Sequence, residues 1–181
     1  MAAEARKLGV KALAVLADVS VKEQVDSMVS MAMAEFGKID ILVNNAAIRP
    51  HKPFLEVTLE DWEYVRGAVL DGPFYTTSAI IPSLVKNESG RIIFFTGHGA
   101  FQGPPERAHV SAAKMGLVGM CRSLASEFAP KNIRVNVVSP GSIDTSREHP
   151  EWYPDARPPD ASHIPMQRQG KVDEIAGTVM F

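Results

Sequence analysis

Ile39-Asp40-Ile41-Leu42-Val43-Asn44-Asn45-Ala46-Ala47 is the stretch whose reading decides the fold. Its apolar residues Ile39, Ile41, Leu42 and Val43 run into two asparagines and two alanines. A short β-branched run of this kind reads as a buried parallel strand whose carboxyl end opens into a polar, small-residue turn. In open α/β sheets, ligands bind in the crevice beyond such strand ends. Small residues let a ligand approach the backbone, and asparagine amides can bond it or brace neighbouring loops. Asn-Asn after a strand is also ordinary turn chemistry, so the surrounding chain has to decide the matter.

On the amino-terminal side, Ala2 to Leu8 reads as a helix with Gly9 as its C-cap. Ala12 to Ala17 reads as a short buried strand closed by Asp18, and Ser20 with Glu23 forms a capping box for the next helix. Val21, Val25, Met28, Val29, Ala32 and Phe36 give that helix an apolar face, and Gly37 ends it. The order helix, strand, helix, strand is the signature of βαβ units and a parallel sheet.

On the carboxyl-terminal side, Arg49 to Val57 is a loop with two prolines, suited to the rim of a pocket. Thr58 with Asp61 caps a long helix over Leu59 to Lys86, with Trp62, Val65, Val69, Ala79 and Ile80 as buried candidates and Gly72-Pro73 as the expected kink. Arg91 to Thr96 is a further buried strand. Ala108 to Ala129 is a second long helix whose close-packing face includes Ala112, Ala113, Gly116 and Gly119, and Ile133 to Val138 is a strand ending in Ser139-Pro140-Gly141. The polar, Pro-rich segment Ser146 to Pro165 reads as a lid or substrate loop, and Val172 to Met180 begins a last helix.

Composition narrows the class. The chain has 181 residues, 45% of them hydrophobic and 22% charged, as in a soluble globular domain. A net charge of −2 offers no electrostatic footprint for nucleic acid or an anionic membrane. One cysteine, Cys121, excludes an intramolecular disulfide and a cysteine-rich metal site, and fits a reducing cytoplasm. No apolar run approaches the ~18 residues that span a bilayer.

Taken together, the strand-end motifs resemble the short-chain dehydrogenase/reductase family. They are A-D-V at Ala17 to Val19, N-N-A-A at Asn44 to Ala47, W-E-Y-V followed by G-P-F at Gly72 to Phe74, S-A-A-K at Ser111 to Lys114, N-I-R-V-N at Asn132 to Asn136, and P-G-S-I-D-T at Pro140 to Thr145. The resemblance implies one domain over 1–181, with 146–165 as its substrate loop. It implies an α/β, Rossmann-like doubly wound parallel sheet that binds NAD or NADP and a small carbonyl or alcohol. It puts Asp18 and Val19 beside the adenine, Asn44 and Ala46 along the ribose and pyrophosphate path, and Lys114 at the nicotinamide ribose. Pro140, Gly141, Ile143 and Thr145 would hold the carboxamide edge. The family's glycine-rich turn and its final strand have no counterpart here, so the chain is expected to be a partial domain. A homodimer or homotetramer is expected of the full-length form, built on the two long helices.

The resemblance also exposes vacancies. The family places a proton-transferring tyrosine four residues before the lysine, and that position is Val110. Its serine slot is Gly97 and its asparagine slot is Val69. Thr96 next to the serine slot, and His98 and His109 flanking the two vacancies, are the candidate replacements, with Lys114 retained. Dienoyl-CoA reductases of the same fold also lack the tyrosine–lysine pair, and Ala108 to Met115 is similar to their lysine context. Three readings stay open: an oxidoreductase with a non-standard acid/base group, a catalytically silent member that binds a dinucleotide or a partner subunit, and an incomplete product without independent function.

Overall fold

A computed structural model describes residues 1–145 and 161–181. Helix α1 (Ala2–Lys7) leads through an extended segment to α2 (Lys22–Phe36) and strand β1 (Ile41–Asn44). Helix α3 (Leu59–Arg66), a π-helical turn (Gly67–Asp71) and α4 (Gly72–Asn87) then return the chain to β2 (Gly90–Phe95). A short α5 (His98–Gln102) and the long α6 (Ala108–Phe128) connect β2 to β3 (Ile133–Val138). The chain continues through β4 (Ile143–Asp144), β5 (Gly170–Lys171) and α7 (Val172–Met180).

β1, β2 and β3 form a parallel sheet in that spatial order, with Leu42 opposite Ile92 and Ile92 opposite Val135. Side chains alternate between the two faces of a strand, so Leu42, Asn44, Ile92, Phe94, Val135 and Val137 share one face. That face forms the core with Val25 and Val29 of α2, Ile80 and Leu84 of α4, and Leu117 and Cys121 of α6. The α/β parallel architecture expected from the sequence is present, and among the described residues its helices pack on this one face.

The opposite face explains a correction. The apolar run Ile39–Val43 was expected to be a buried strand opening into a turn at Asn44–Ala47, yet Ile41 is 60% and Val43 42% exposed. No described helix covers those side chains. The Ala12–Ala17 strand is absent as well. Those residues are extended but unpaired in any ladder, and Leu16 lies fully in solvent. A strand exists only where a neighbour completes its hydrogen bonds, and no described strand lies beside this segment.

Local signals fared according to whether a competing partner was near. Thr58 and Asp61 form the expected capping box, Thr58 Oγ1 accepting from Asp61 N at 3.1 Å and Asp61 Oδ2 accepting from Thr58 N at 2.8 Å. Ser20 does not cap α2: its hydroxyl donates to Asp18 Oδ1 at 2.7 Å, and Val21 takes the N-cap position without a side-chain bond. Gly37 ends α2 with φ 76°, a left-handed conformation that favours glycine. The expected kink near Gly72-Pro73 is the π-helical turn just before it. Proline lacks an N–H for the carbonyl four residues back, and a widened turn accommodates that loss. Trp62, expected to be buried, is exposed on α3, whereas Val65, Val69 and Ile80 are buried.

Helix α6 divides its small residues between two sides. Ala113 is buried, and a Cβ on Gly116 would lie 3.0 Å from Leu70 Cδ1, so these two residues pack inward. Ala112 and Gly119 face outward. No described helix is long and apolar enough to cross a membrane.

Candidate active site

The carboxyl ends of β1, β2 and β3 bring together the sequence-singled residues. Asn44 ends β1 and is buried. Its side chain points to α4: Thr76 Oγ1 donates to Asn44 Oδ1 at 2.7 Å, and Asn44 Nδ2 lies 3.4 Å from Thr77 Oγ1. Asn44 therefore braces the strand end against α4, while Ala46 remains exposed in the turn beyond it. Asp18 is exposed, and its carboxyl is held below the usual carboxylate range by the hydroxyl and N–H of Ser20. Val19 packs on Gly72 so tightly that a Cβ there would lie 2.9 Å from both Val19 Cγ2 and its carbonyl oxygen.

Lys114 is the focus of the site. It is only 9% exposed, one turn into α6 beyond Val110, and its Nζ donates to the carbonyl oxygen of Phe95 at 2.7 Å. Burial, and secondarily the charge of Arg49, lower its pKa to about 8. A buried ammonium is disfavoured because it loses hydration. Beside it lies a cavity of about 70 Å³, lined by Thr96, Gly97, Val110, Ser111 and Lys114 together with Arg49 and Arg107. Thr96 Oγ1 is buried with no partner among the described residues. Val110 and Gly97 thus stand on the same cavity as Lys114, and Val69 is fully buried in the apolar cluster with Val65, Val110 and Ala113.

The two histidines go elsewhere. His98 is exposed, and its backbone N–H donates to Pro140 O at 2.9 Å, tying α5 to the end of β3. His109 is 2% exposed, both ring nitrogens lack partners among the described residues, and burial lowers its pKa. Neither lines the cavity beside Lys114. Pro140 and Gly141 follow β3 at the same sheet end. Ile143 pairs with Gly170 in the β4–β5 ladder, and Thr145 is exposed just after it. Most of the Ser146–Pro165 segment lies outside the described residues.

Arg49 and Arg107 were not singled out from the sequence, and Ser111 entered only as the first residue of the S-A-A-K motif. Arg49 follows the N-N-A-A-I turn directly, and the loop it opens had been read as a pocket rim, which was the available signal. Arg107 gave none: its Nε donates to His51 Nε2 at 3.0 Å across 56 residues of chain, a pairing that motif spacing does not reveal.

The profile of a family described as enoyl-(acyl carrier protein) reductase matches residues 1–181. The 3-oxoacyl-[acyl-carrier-protein] reductase of Synechocystis sp. is 37% identical over 173 residues, covering 96% of this chain and 68% of the relative. The chain belongs to the short-chain dehydrogenase/reductase family. Another relative, the 3-oxoacyl-[acyl-carrier-protein] reductase FabG of Aquifex aeolicus, is 36% identical, covering 98% of this chain and 71% of its own length. Among solved short-chain dehydrogenase/reductase structures, a Sinorhizobium meliloti protein described as a short-chain alcohol dehydrogenase superposes with a TM-score of 0.91 at 32% identity. That match covers 99% of this chain and 72% of the other. NAD+-bound xylitol dehydrogenase superposes at 0.87 with 27% identity, covering 99% and 75%. The chain thus spans about two-thirds to three-quarters of the length of these relatives.

Proposed function

We propose that this chain is the dinucleotide-binding and catalytic part of an NAD- or NADP-dependent oxidoreductase that interconverts a small carbonyl compound and its alcohol, with Lys114 moving the proton. The observation that carries this reading is the buried Lys114 ammonium, held by Phe95 O at the strand end and facing a cavity where the tyrosine slot is Val110. The names of the relatives, reductases and dehydrogenases, support the same class.

The residues present fit the nicotinamide half of a dinucleotide. Small, exposed Ala46 and Gly141 leave the backbone approachable at adjacent strand ends, and the orphaned Thr96 hydroxyl calls for a polar partner. Asp18 and Val19 would flank the adenine, Asn44 and Ala46 the ribose path, Lys114 the nicotinamide ribose, and Pro140, Gly141, Ile143 and Thr145 the carboxamide. The bound group supplies or accepts the hydride. Lys114 Nζ gives its proton to the carbonyl oxygen as the alcohol forms, and Thr96 Oγ1 bonds that oxygen. The proton is assigned to Lys114 rather than to His98 or His109 because only Lys114 lines the cavity.

The test is turnover of NADH and NADPH across a panel of carbonyl compounds. Reduction should fall as pH rises through about 8, and Lys114→Met should lower kcat on the order of a hundredfold or more. A pH-independent rate that survives in Lys114→Met would refute the assignment. A second reading, a member that binds the dinucleotide without turnover, is favoured by Val69, Gly97 and Val110 in the asparagine, serine and tyrosine slots. Calorimetric binding with no turnover over the whole panel would establish it.

A further inference from the structure

Two hydroxyl side chains line the cavity beside Lys114, and they come from different elements. Thr96 stands just past the end of β2, and Ser111 lies in the first turn of α6, three residues before Lys114. Residues three apart on a helix are neighbours on its surface, so Ser111 and Lys114 reach the cavity side by side. The Ser111 N–H donates to the Arg107 carbonyl at 2.8 Å, which fixes this turn of the helix. The vacant serine and tyrosine slots, Gly97 and Val110, also line the cavity and bring no hydroxyl to it.

The chemistry of a reacting oxygen calls for donors on more than one side. A volume of about 70 Å³ admits one compact group, since a water molecule takes roughly 30 Å³. Thr96 Oγ1 is buried with no partner among the described residues, so an oxygen placed in the cavity would satisfy it. As a carbonyl carbon takes a hydride from a reduced nicotinamide, the π pair moves onto oxygen, which gains alkoxide character and a third lone pair. Lys114 Nζ and Thr96 Oγ1 engage two of these pairs in the reaction proposed above. The third is open to a donor from α6, where Ser111 stands. Lys114 gives up its proton to yield the alcohol, and Ser111 keeps its own. A donor aimed at developing charge stabilises the transition state more than the ground state.

Resting on the oxidoreductase reading, we propose that Ser111 is a further catalytic residue, whose hydroxyl donates to the reacting oxygen together with Thr96 while Lys114 protonates it. The test is steady-state reduction of acetaldehyde, acetone and ethyl acetoacetate with NADH and NADPH. It compares the unmodified chain with Ser111→Ala and Ser111→Thr. Ser111→Ala should lower kcat on the order of a hundredfold, with kcat/KM falling alike. Alanine favours a helix more than serine does, so the melting midpoint should not drop. Nucleotide affinity, read by fluorescence titration, should stay unchanged. Ser111→Thr keeps the hydroxyl and should turn over faster than Ser111→Ala.

An unchanged kcat in Ser111→Ala overturns the inference, and so does a loss confined to KM. A loss accompanied by weaker nucleotide binding or a lower melting midpoint overturns it too, because it marks a structural role. A threonine variant no faster than the alanine variant does the same. Full turnover in Ser111→Ala overturns this inference alone, whereas no turnover of any of the three carbonyls by the unmodified chain overturns the oxidoreductase reading with it.

Discussion

Lys114 Nζ donates to the Phe95 carbonyl oxygen at 2.7 Å, tying α6 to the end of the middle strand of the sheet. The bond gives the ammonium one partner and leaves two donors toward the cavity. The cost of burying it is visible in the pKa of about 8, against 10.5 for an ordinary lysine.

That cost fixes the direction of a pH effect on stability. Between about 8 and 10.5 the unfolded chain holds the Lys114 proton and the folded chain has begun to release it. Stability contributed by this group therefore rises with pH across that window, by on the order of 3 kcal/mol at about 1.4 kcal/mol per unit. Urea unfolding at pH 7.5 and pH 10 should show the rise in the unmodified chain relative to Lys114→Met. Equal pH slopes in the two proteins would contradict the assignment.

His109 works in the opposite range. Its buried ring is held neutral, with a pKa below the ordinary 6.5. Its contribution is fully present above 6.5 and is lost as pH falls through the depressed folded value, because the unfolded chain takes up the proton first. Thermal unfolding between pH 7.5 and 5 should show a steeper loss for the unmodified chain than for His109→Leu. Parallel curves would show that the ring takes up its proton as readily in the fold as in the unfolded chain, contradicting the lowered pKa.

Two glycine substitutions separate close packing from helix propensity. In Gly72→Ala the new methyl meets Val19 Cγ2 and the Val19 carbonyl at 2.9 Å, and backbone cannot yield cheaply. A loss of about 1–3 kcal/mol is expected, with weaker dinucleotide binding as Val19 is displaced. Gly119→Ala meets nothing within 4 Å and should add about 0.5–1 kcal/mol through helix propensity. Denaturation midpoints of the pair, measured side by side, check both signs.

The sequence made legible the elements whose partners are local or abundant. β3 and α7 fall at their expected bounds, α6 ends within one residue, and the Thr58–Asp61 cap forms because both partners sit three residues apart. Failures came where structure depends on distant chain. Ala12–Ala17 has strand composition but no neighbouring strand, and Ser20 has a closer acceptor in Asp18 than the α2 terminus. At the site, the motif positions pointed to Lys114 and the Asn44 turn, and adjacency to the vacant serine slot at Gly97 pointed to Thr96. Motif spacing carries no information about which way a side chain turns, so the Asn44 amide facing Thr76 and the burial of His109 were not visible. The Arg107–His51 contact joins two loops and leaves no trace in either.

Asn44→Ala tests the brace at the carboxyl end of β1. It removes the acceptor of the 2.7 Å bond from Thr76, but Thr76 Oγ1 also lies 3.1 Å from the carbonyls of Gly72 and Pro73. The stranded hydroxyl keeps a partner, so the loss should be near the lower end of the 1–3 kcal/mol range for a buried polar deletion. A melting curve checks the stability cost. A loss well above 3 kcal/mol would show that the amide carries more of the strand end than these two bonds.

The proposed function requires that a dinucleotide bind at the carboxyl end of β1, β2 and β3 with Lys114 as its charged contact. Fluorescence titration of NADH and NADPH against the unmodified chain and Lys114→Met tests it most directly. Saturable binding of at least one nucleotide is expected, weakened roughly tenfold or more in the variant, as befits loss of a hydrogen bond from a charged donor. No binding of either nucleotide, or equal affinity in the two proteins, would rule out Lys114 as a dinucleotide contact.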